Sequence, residues 1–263
     1  MPAQTQPEVL FEVRDHVGHI TLNRPEAGNG ITAKLARELA GAALACQTDA
    51  SVRAVLLGGA GDSFCVGGDL KDFAARRDRI SAYLRETTAH LHLAVSRLAR
   101  MNAPVLAAVH GAAAGGGFSL ACACDLVVAA ESSYFVIAYS RIGLPPDGGS
   151  TYFLPRLVGF RRAMELALLH PRLSAREARD YGIINQVVPD AELAARAEAL
   201  ANTLASGPLH AFGMTKKLFH LGWSESLEAQ MERESAAIAE AAAGPEGREG
   251  ITSFLEKRAP EFR

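Results

Sequence analysis

The chain has 263 residues, enough for one large domain or two small ones. Its 27 Lys and Arg against 29 Asp and Glu leave a net charge of −2, without the basic excess that a nucleic-acid or anionic-membrane surface requires. Hydrophobic residues at 49% and charged residues at 21% exclude disorder over most of the length. The four cysteines, Cys46, Cys65, Cys122 and Cys124, form no CxxC pair and no ligand spacing with histidine. No metal site or disulfide framework is expected, and reduced thiols in a cytoplasmic protein fit best.

The polar stretch from Met1 to Val9 lacks the basic-then-apolar layout of a signal peptide. Val9 to Val13 and His19 to Asn23 predict a hairpin around an Asp15-His16-Val17-Gly18 turn. Asn23-Arg24-Pro25-Glu26 breaks into a loop, and Thr32 caps a helix running to about Thr48. Val52 to Leu57 is an apolar run of the buried-strand kind, closed by Gly58-Gly59. Gly61 to Leu70 reads as a glycine-punctuated loop, and Tyr83 to Arg100 has helical periodicity. Pro104 to Ala130 is mostly apolar, but His110, Ser119, Asp125 and the triplet Gly115-Gly116-Gly117 are wrong for a membrane span. It divides into a strand at Val105 to Val109, a loop, a helix opening near Gly116, and a strand at Leu126 to Ala129. Strands alternating with helices make this an α/β protein with much parallel pairing.

Beyond Asp147 the pattern becomes wholly helical. Thr151 to Leu157 and Arg161 to His170 are candidate helices, and Ser174-Ala175-Arg176-Glu177 is a capping box opening a third. Asp190 to Ser206 follows, then a break at Gly207-Pro208 and further helices towards Phe262. A helical tail with no sheet to cover is expected to bury its apolar face on another subunit.

Familiar glycine motifs fail. The run at Gly115 is contiguous, so it is no dinucleotide fingerprint, and no Gly-Lys-Ser/Thr makes a P-loop. Ala121 occupies the position where a nucleophile elbow around Ser119 needs glycine. What remains is a strand whose following glycines open a helix. Amides at a helix start are unpaired, carry the positive end of the dipole, and can hold a developing oxyanion if no side chain intervenes. Gly67-Gly68 offers a second such loop. Spacing alone leaves the alternative open, that these glycines serve only tight packing and turns with positive φ.

Five segments, in order, carry a resemblance. They are Leu22-Asn23-Arg24-Pro25, Phe64 to Leu70, Ala107 to Asp125, Ile142 to Gly149, and Glu249-Gly250-Ile251 with Phe254 to Arg258. Together they resemble the crotonase family, the enoyl-CoA hydratases and isomerases, over essentially the whole chain. The resemblance implies a crotonase-like spiral of ββα units over residues 1–205 and a C-terminal helical trimerisation region over 206–263. It implies homotrimers, often paired into hexamers, and an acyl-CoA substrate whose coenzyme A belongs to the substrate, with no separate cofactor. It also implies that Gly68 and Gly116 donate their amides to the thioester oxygen.

Family hydratases carry two glutamates where this chain, aligned through the glycine triplet, has Ser119 and Tyr139. Neither is a carboxylate, whereas adding water needs one group to activate it and another to deliver a proton. Asp147, in Pro145-Pro146-Asp147-Gly148-Gly149, lies where 3-enoyl-CoA isomerases and phenylacetate-pathway ring isomerases carry their carboxylate. Shifting a double bond needs only one base, so the resemblance favours an isomerase, although Pro-Asp-Gly is also an ordinary turn.

In the family's 4-chlorobenzoyl-CoA dehalogenases the matching aspartate attacks the ring, and a histidine, here His92, activates water. A dehalogenase-like or other acyl-CoA hydrolase using Asp147 and His92 is therefore the alternative, and a hydratase with a non-standard acid/base set another. Taken from the one sequence, His92 reads better as a solvated or packed helix residue. A non-enzymatic acyl-CoA or RNA-binding module is a third class, its RNA version weakened by the charge. The resemblance places Val66 and Gly68-Asp69-Leu70-Lys71 along the thioester and pantetheine arm, with Asn29, Gly30 and Ile31 near it. Phe254 and Lys257 are placed at the coenzyme of a neighbouring subunit, while Tyr139 and Phe73 are candidates for the acyl pocket.

Overall fold

β1 (Val9–Arg14) and β2 (Val17–Leu22) pair antiparallel through Asp15-His16 alone, with φ of 50° and 64°. The turn is thus two residues long rather than four, because left-handed residues match the twist of the flanking strands. The computed structural model describes residues 6–262, so the first five residues of the polar N-terminal stretch lie outside it. Thr32 caps α1 (Ala33–Thr48) by accepting from Leu35 N, and the next strand, β3 (Ala54–Gly59), begins two residues later than its apolar run.

The expected loop at 61–70 is partly built. Asp69 caps α2 (Leu70–Ala75), which leads into α3 (Ile80–Arg100). The apolar stretch then gives β4 (Val105–Val109), β5 (Ala112–Ala114), α4 (Gly116–Ala123) and β6 (Leu126–Ala130). β7 (Tyr134–Val136) is followed by a 3₁₀ turn at Ala138–Ile142, then α5 (Ser150–Val158) and α6 (Phe160–Leu169).

The expectation of a wholly helical second half is corrected here. β8 (Leu173–Ser174) precedes α7 (Ala175–Asp180), which carries the Ser174–Glu177 capping box, and β9 (Gln186–Val188) joins the main sheet. Two- and three-residue strands are too short to show a period of two. α8 (Leu193–Ala205), α9 (Leu209–Leu221), α10 (Leu227–Ala243) and α11 (Pro245–Glu256) complete the chain.

The main sheet runs β1-β2-β3-β4-β6-β9, parallel from β2 onward, and β5-β7-β8 form a second, smaller sheet. Two bridges, Cys65 to Ala113 and Ile31 to Gly68, extend that second sheet. Each turn therefore contributes a main-sheet strand, a short inner strand and a helix, which is a spiral of ββα units. Leu35 and Leu39 of α1 pack with Leu91, Val95 and Leu98 of α3 in the larger core. Among the described residues no helix is long and apolar enough to cross a membrane.

α9 is anchored by a shielded ion pair. Lys216 Nζ lies 2.6 Å from Asp125 Oδ2 and donates to Leu98 O at 3.2 Å and Ala103 O at 3.1 Å. Burial raises the Asp125 carboxyl above its ordinary range, and Lys216 opposes that rise. Lys216→Met leaves the carboxylate without its cation and is expected to lower stability by about 3 kcal/mol in urea titration. An unchanged midpoint would contradict this anchoring.

Candidate active site

Cys65 pairs with Ala113, and Ala113 with Phe135, so successive turns of the spiral are in register. At equal offsets beyond those residues stand Gly68, Gly116 and Ala138, and all three line one cavity of about 360 Å³. Gly116 opens α4, so its amide has no acceptor within the helix. Gly67 O accepts from Ile31 N at 2.7 Å, and a trans peptide points its N–H opposite its carbonyl. The Gly68 amide is thereby turned away from Ile31. Among the described residues neither amide meets an acceptor. The two loops touch: a Cβ at Gly67, where φ is +94°, would lie 3.1 Å from Gly116 N and 2.9 Å from Ala114 O.

Asp147 lies in the third turn, ahead of α5, where its carbonyl accepts from Ser150 N at 3.2 Å and Ser150 Oγ at 2.9 Å. The Tyr139 hydroxyl donates to Asp147 Oδ1 at 2.5 Å and sits 3.1 Å from Ser119 Oγ. With the phenol proton committed to the carboxylate, the donor in the second contact is Ser119 Oγ, whose one proton is shared with Gly115 O at 3.2 Å. A chain Ser119 to Tyr139 to Asp147 results, rooted in a fully buried serine on α4. Burial first, and the Asp147 charge second, push the Tyr139 phenol well above its usual range, so it stays protonated. The remaining wall is largely apolar and includes Phe73, Leu84 and Leu91.

Ile31, Val66 and Leu70 also line this cavity. Asn29 does not: it is fully buried, and its Nδ2 donates to Ala60 O at 2.9 Å, Ser63 O at 2.7 Å and Phe64 O at 3.2 Å. Asp69 is likewise engaged elsewhere, accepting from Lys71 N at 3.0 Å and Asp72 N at 3.1 Å and pairing with Arg24 at 2.9 Å. A short carboxylate at a helix start satisfies the first free amides, and that demand takes the side chain. The Gly30 carbonyl accepts from Arg24.

Lys71 is exposed on α2 and outside the cavity wall. Phe254 is 82% exposed on α11 and Lys257 ends that helix at φ 56°, and neither lines the cavity of its own chain. His92, on α3, accepts the Gly148 N–H through Nε2 at 3.2 Å, so the tautomer implied carries its proton on Nδ1. Sequence reasoning named Gly67 only as half of the Gly67-Gly68 pair and Arg24 only within Asn23-Arg24-Pro25, and gave neither a role of its own.

Residues 12–263 match the family described as Enoyl-CoA hydratase/isomerase. A Rhodobacter capsulatus protein named "Probable enoyl-CoA hydratase" is 42% identical over 97% of each chain. The 1,2-epoxyphenylacetyl-CoA isomerase of Escherichia coli K12 is 39% identical over 97% of each. The 4-chlorobenzoyl coenzyme A dehalogenase-2 of an Arthrobacter species is 34% identical over 98% of this chain and 94% of that one. The crystal structure of an enoyl-CoA hydratase from Polaromonas sp. JS666 matches with a TM-score of 0.92 at 33% identity, covering 97% of this chain and 99% of that one.

Gly67 and Gly143 make a matched test of the two-loop contact. Gly143 has φ +71° but open space around it, whereas Gly67 is both left-handed and pressed on Gly116. Gly143→Ala is expected to cost about 1–2 kcal/mol in thermal melting and to keep its turnover of acyl-CoA thioesters. Gly67→Ala is expected to cut that turnover at least ~100-fold. Equal kinetics for the two variants would separate the contact from function.

Proposed function

The chain belongs to the enoyl-CoA hydratase/isomerase family, and we propose that within it this protein moves the C=C bond of a 3-enoyl-CoA to the 2-position. One observation carries the reading. A single carboxylate, Asp147, is held by the Tyr139 hydroxyl at 2.5 Å in the cavity that Gly68 and Gly116 also line. By the family resemblance, the two positions where hydratases carry their glutamates hold Ser119 and Tyr139.

In this mechanism the thioester oxygen sits between the two amides. Asp147 takes a proton from C2, and the C2–H electron pair enters the conjugated system as a dienolate whose charge rests on that oxygen. Asp147 returns the proton at C4, the negative charge leaves the oxygen, and the double bond is left between C2 and C3. Each amide is worth about 2.7–4 kcal/mol to the charged state, and a positioned base roughly 10²–10⁴-fold in rate. Tyr139, kept protonated by burial, fixes Oδ1 of Asp147 and leaves Oδ2 for the substrate. The chemistry needs no cofactor beyond the coenzyme A of the substrate.

Assembly belongs to the same proposal. Residues 1–205 form the catalytic spiral, and residues 206–263 assemble homotrimers or dimers of trimers. Phe219 at 72%, Ile238 at 72% and Phe254 at 82% exposure supply apolar surface for this assembly. Phe254 and Lys257 then serve the coenzyme of a neighbouring subunit. Dehalogenation by Asp147 and His92 is the second reading, supported by the nearness of His92 to Gly148. Activating water would require His92 Nε2 to give up the Gly148 N–H.

The protein is to be incubated with a 3-enoyl-CoA, following 2-enoyl-CoA and 3-hydroxyacyl-CoA, beside Asp147→Asn. Isomerisation without hydroxy product, lost at least ~100-fold in the variant, is expected. Brisk hydration of a 2-enoyl-CoA by wild type and Asp147→Asn alike would overturn the reading, and halide release from an aryl-CoA would favour the second.

A further inference from the structure

Gly68 sits in a short bridge. Two hydrogen bonds make it, Ile31 N to Gly67 O at 2.7 Å and Asp69 N to Ile31 O at 3.1 Å, with Val66 N to Gly28 O at 3.0 Å joining the same two segments. Yet those bonds set the peptide plane that aims the Gly68 N–H. An oxyanion donor must lie about 2.7–3.1 Å from the charged oxygen, so a tilt of that plane is a loss of catalysis.

We propose that Arg24 is the positioning residue for this donor, a clamp across the Ile31–Gly68 bridge. The inference rests on the oxyanion reading of Gly68 and Gly116. One arm of the guanidinium, Nη1, donates to Gly30 O at 2.5 Å, on the residue just before Ile31. The other, Nη2, meets Asp69 Oδ2 at 2.9 Å, on the residue just after Gly68. The planar fork therefore spans both strands of the bridge, which a point charge on a flexible stem cannot do. Its own backbone is fixed in turn, since Arg24 N donates to Asn29 Oδ1 at 2.8 Å and Arg24 O accepts from Asn29 N at 2.9 Å. Nε adds a longer contact to Glu8 at 3.6 Å. The pair is shielded, with side-chain exposures of 17% for Arg24 and 13% for Asp69, so solvent screens it less than a surface pair.

The roles of Asp69 can be separated. Asparagine caps a helix about as well as aspartate, so Asp69→Asn keeps the cap on α2 and removes the charge that Arg24 grips. Arg24→Met removes the clamp, and Arg24→Lys keeps the charge without the fork. Arg37→Gln, which breaks the exposed Arg37–Glu86 pair at 2.9 Å, is the control.

The readout is the infrared band of a ¹³C-labelled thioester carbonyl in a bound enoyl-CoA, with Asp147→Asn as the parent so that the ligand survives. The parent and the Arg37 control are expected to show the same downward shift of the carbonyl band on binding. Arg24→Met and Asp69→Asn are expected to lose most of it, and Arg24→Lys to keep part. With Asp147 intact, Arg24→Met and Asp69→Asn should lower kcat about 10- to 100-fold while KM changes little. A full carbonyl shift and full kcat in both would overturn the clamp. If Arg24→Met fails to fold, Asp69→Asn alone decides between these outcomes. A parent protein with no shift would overturn the oxyanion reading, and the clamp with it.

Discussion

Two glycines whose amides meet no acceptor among the described residues, brought to one cavity, are the constraint on which the rest of this molecule depends. They meet there because the inner strands of successive turns are in register, with Cys65 beside Ala113 and Ala113 beside Phe135. A one-residue slip would turn either amide to the wrong side. The glycine triplet divides the remaining demands. Gly115 takes φ 47° and ψ −118° to turn the chain into α4, and Gly116 opens the helix towards the cavity. Gly117 lets the helix close on the neighbouring turn, since a Cβ there would lie 2.2 Å from Cys65 O. Main-chain donors cannot be lost by exchanging a side chain, only by moving the backbone.

The electrostatics of the site form a single choice. Tyr139 Oη lies 2.5 Å from Asp147 Oδ1, where a phenol donates to the carboxylate without adding a second negative charge beside it. A protonated phenol and a buried serine support that one base by donation.

Much of this was legible in the sequence where a signal is longer than the element it marks. Val105–Val109 coincides with its apolar run, α4 opens at Gly116, and Thr32 and Ser174 cap the helices they announce. The inner strands were not legible, because Ala112–Ala114 and Tyr134–Val136 are three residues each and show no period. β9 was hidden by helices on both sides, and its half-buried Gln186–Val188 lacks an apolar run. In the site, Gly68, Gly116, Tyr139 and Asp147 were legible through the family resemblance rather than through local spacing, and the fold brings them to one cavity. Asn29 and Asp69 flank that cavity in sequence, but loop carbonyls and helix amides claim their side chains. Arg24 acquires its meaning only from partners on two other segments, which no local pattern reveals.

The most direct measurement of a single shuttling base is the fate of an isotope. A 3-enoyl-CoA carrying deuterium at C2 is turned over in ordinary water, and the product is analysed by position. Deuterium retained at C4 of the 2-enoyl-CoA is expected, because one carboxylate carries the same nucleus from C2 to C4. Complete loss of the label to solvent, with oxygen added at C3, would mean that separate acid and base groups serve the substrate, and would contradict the one-base site.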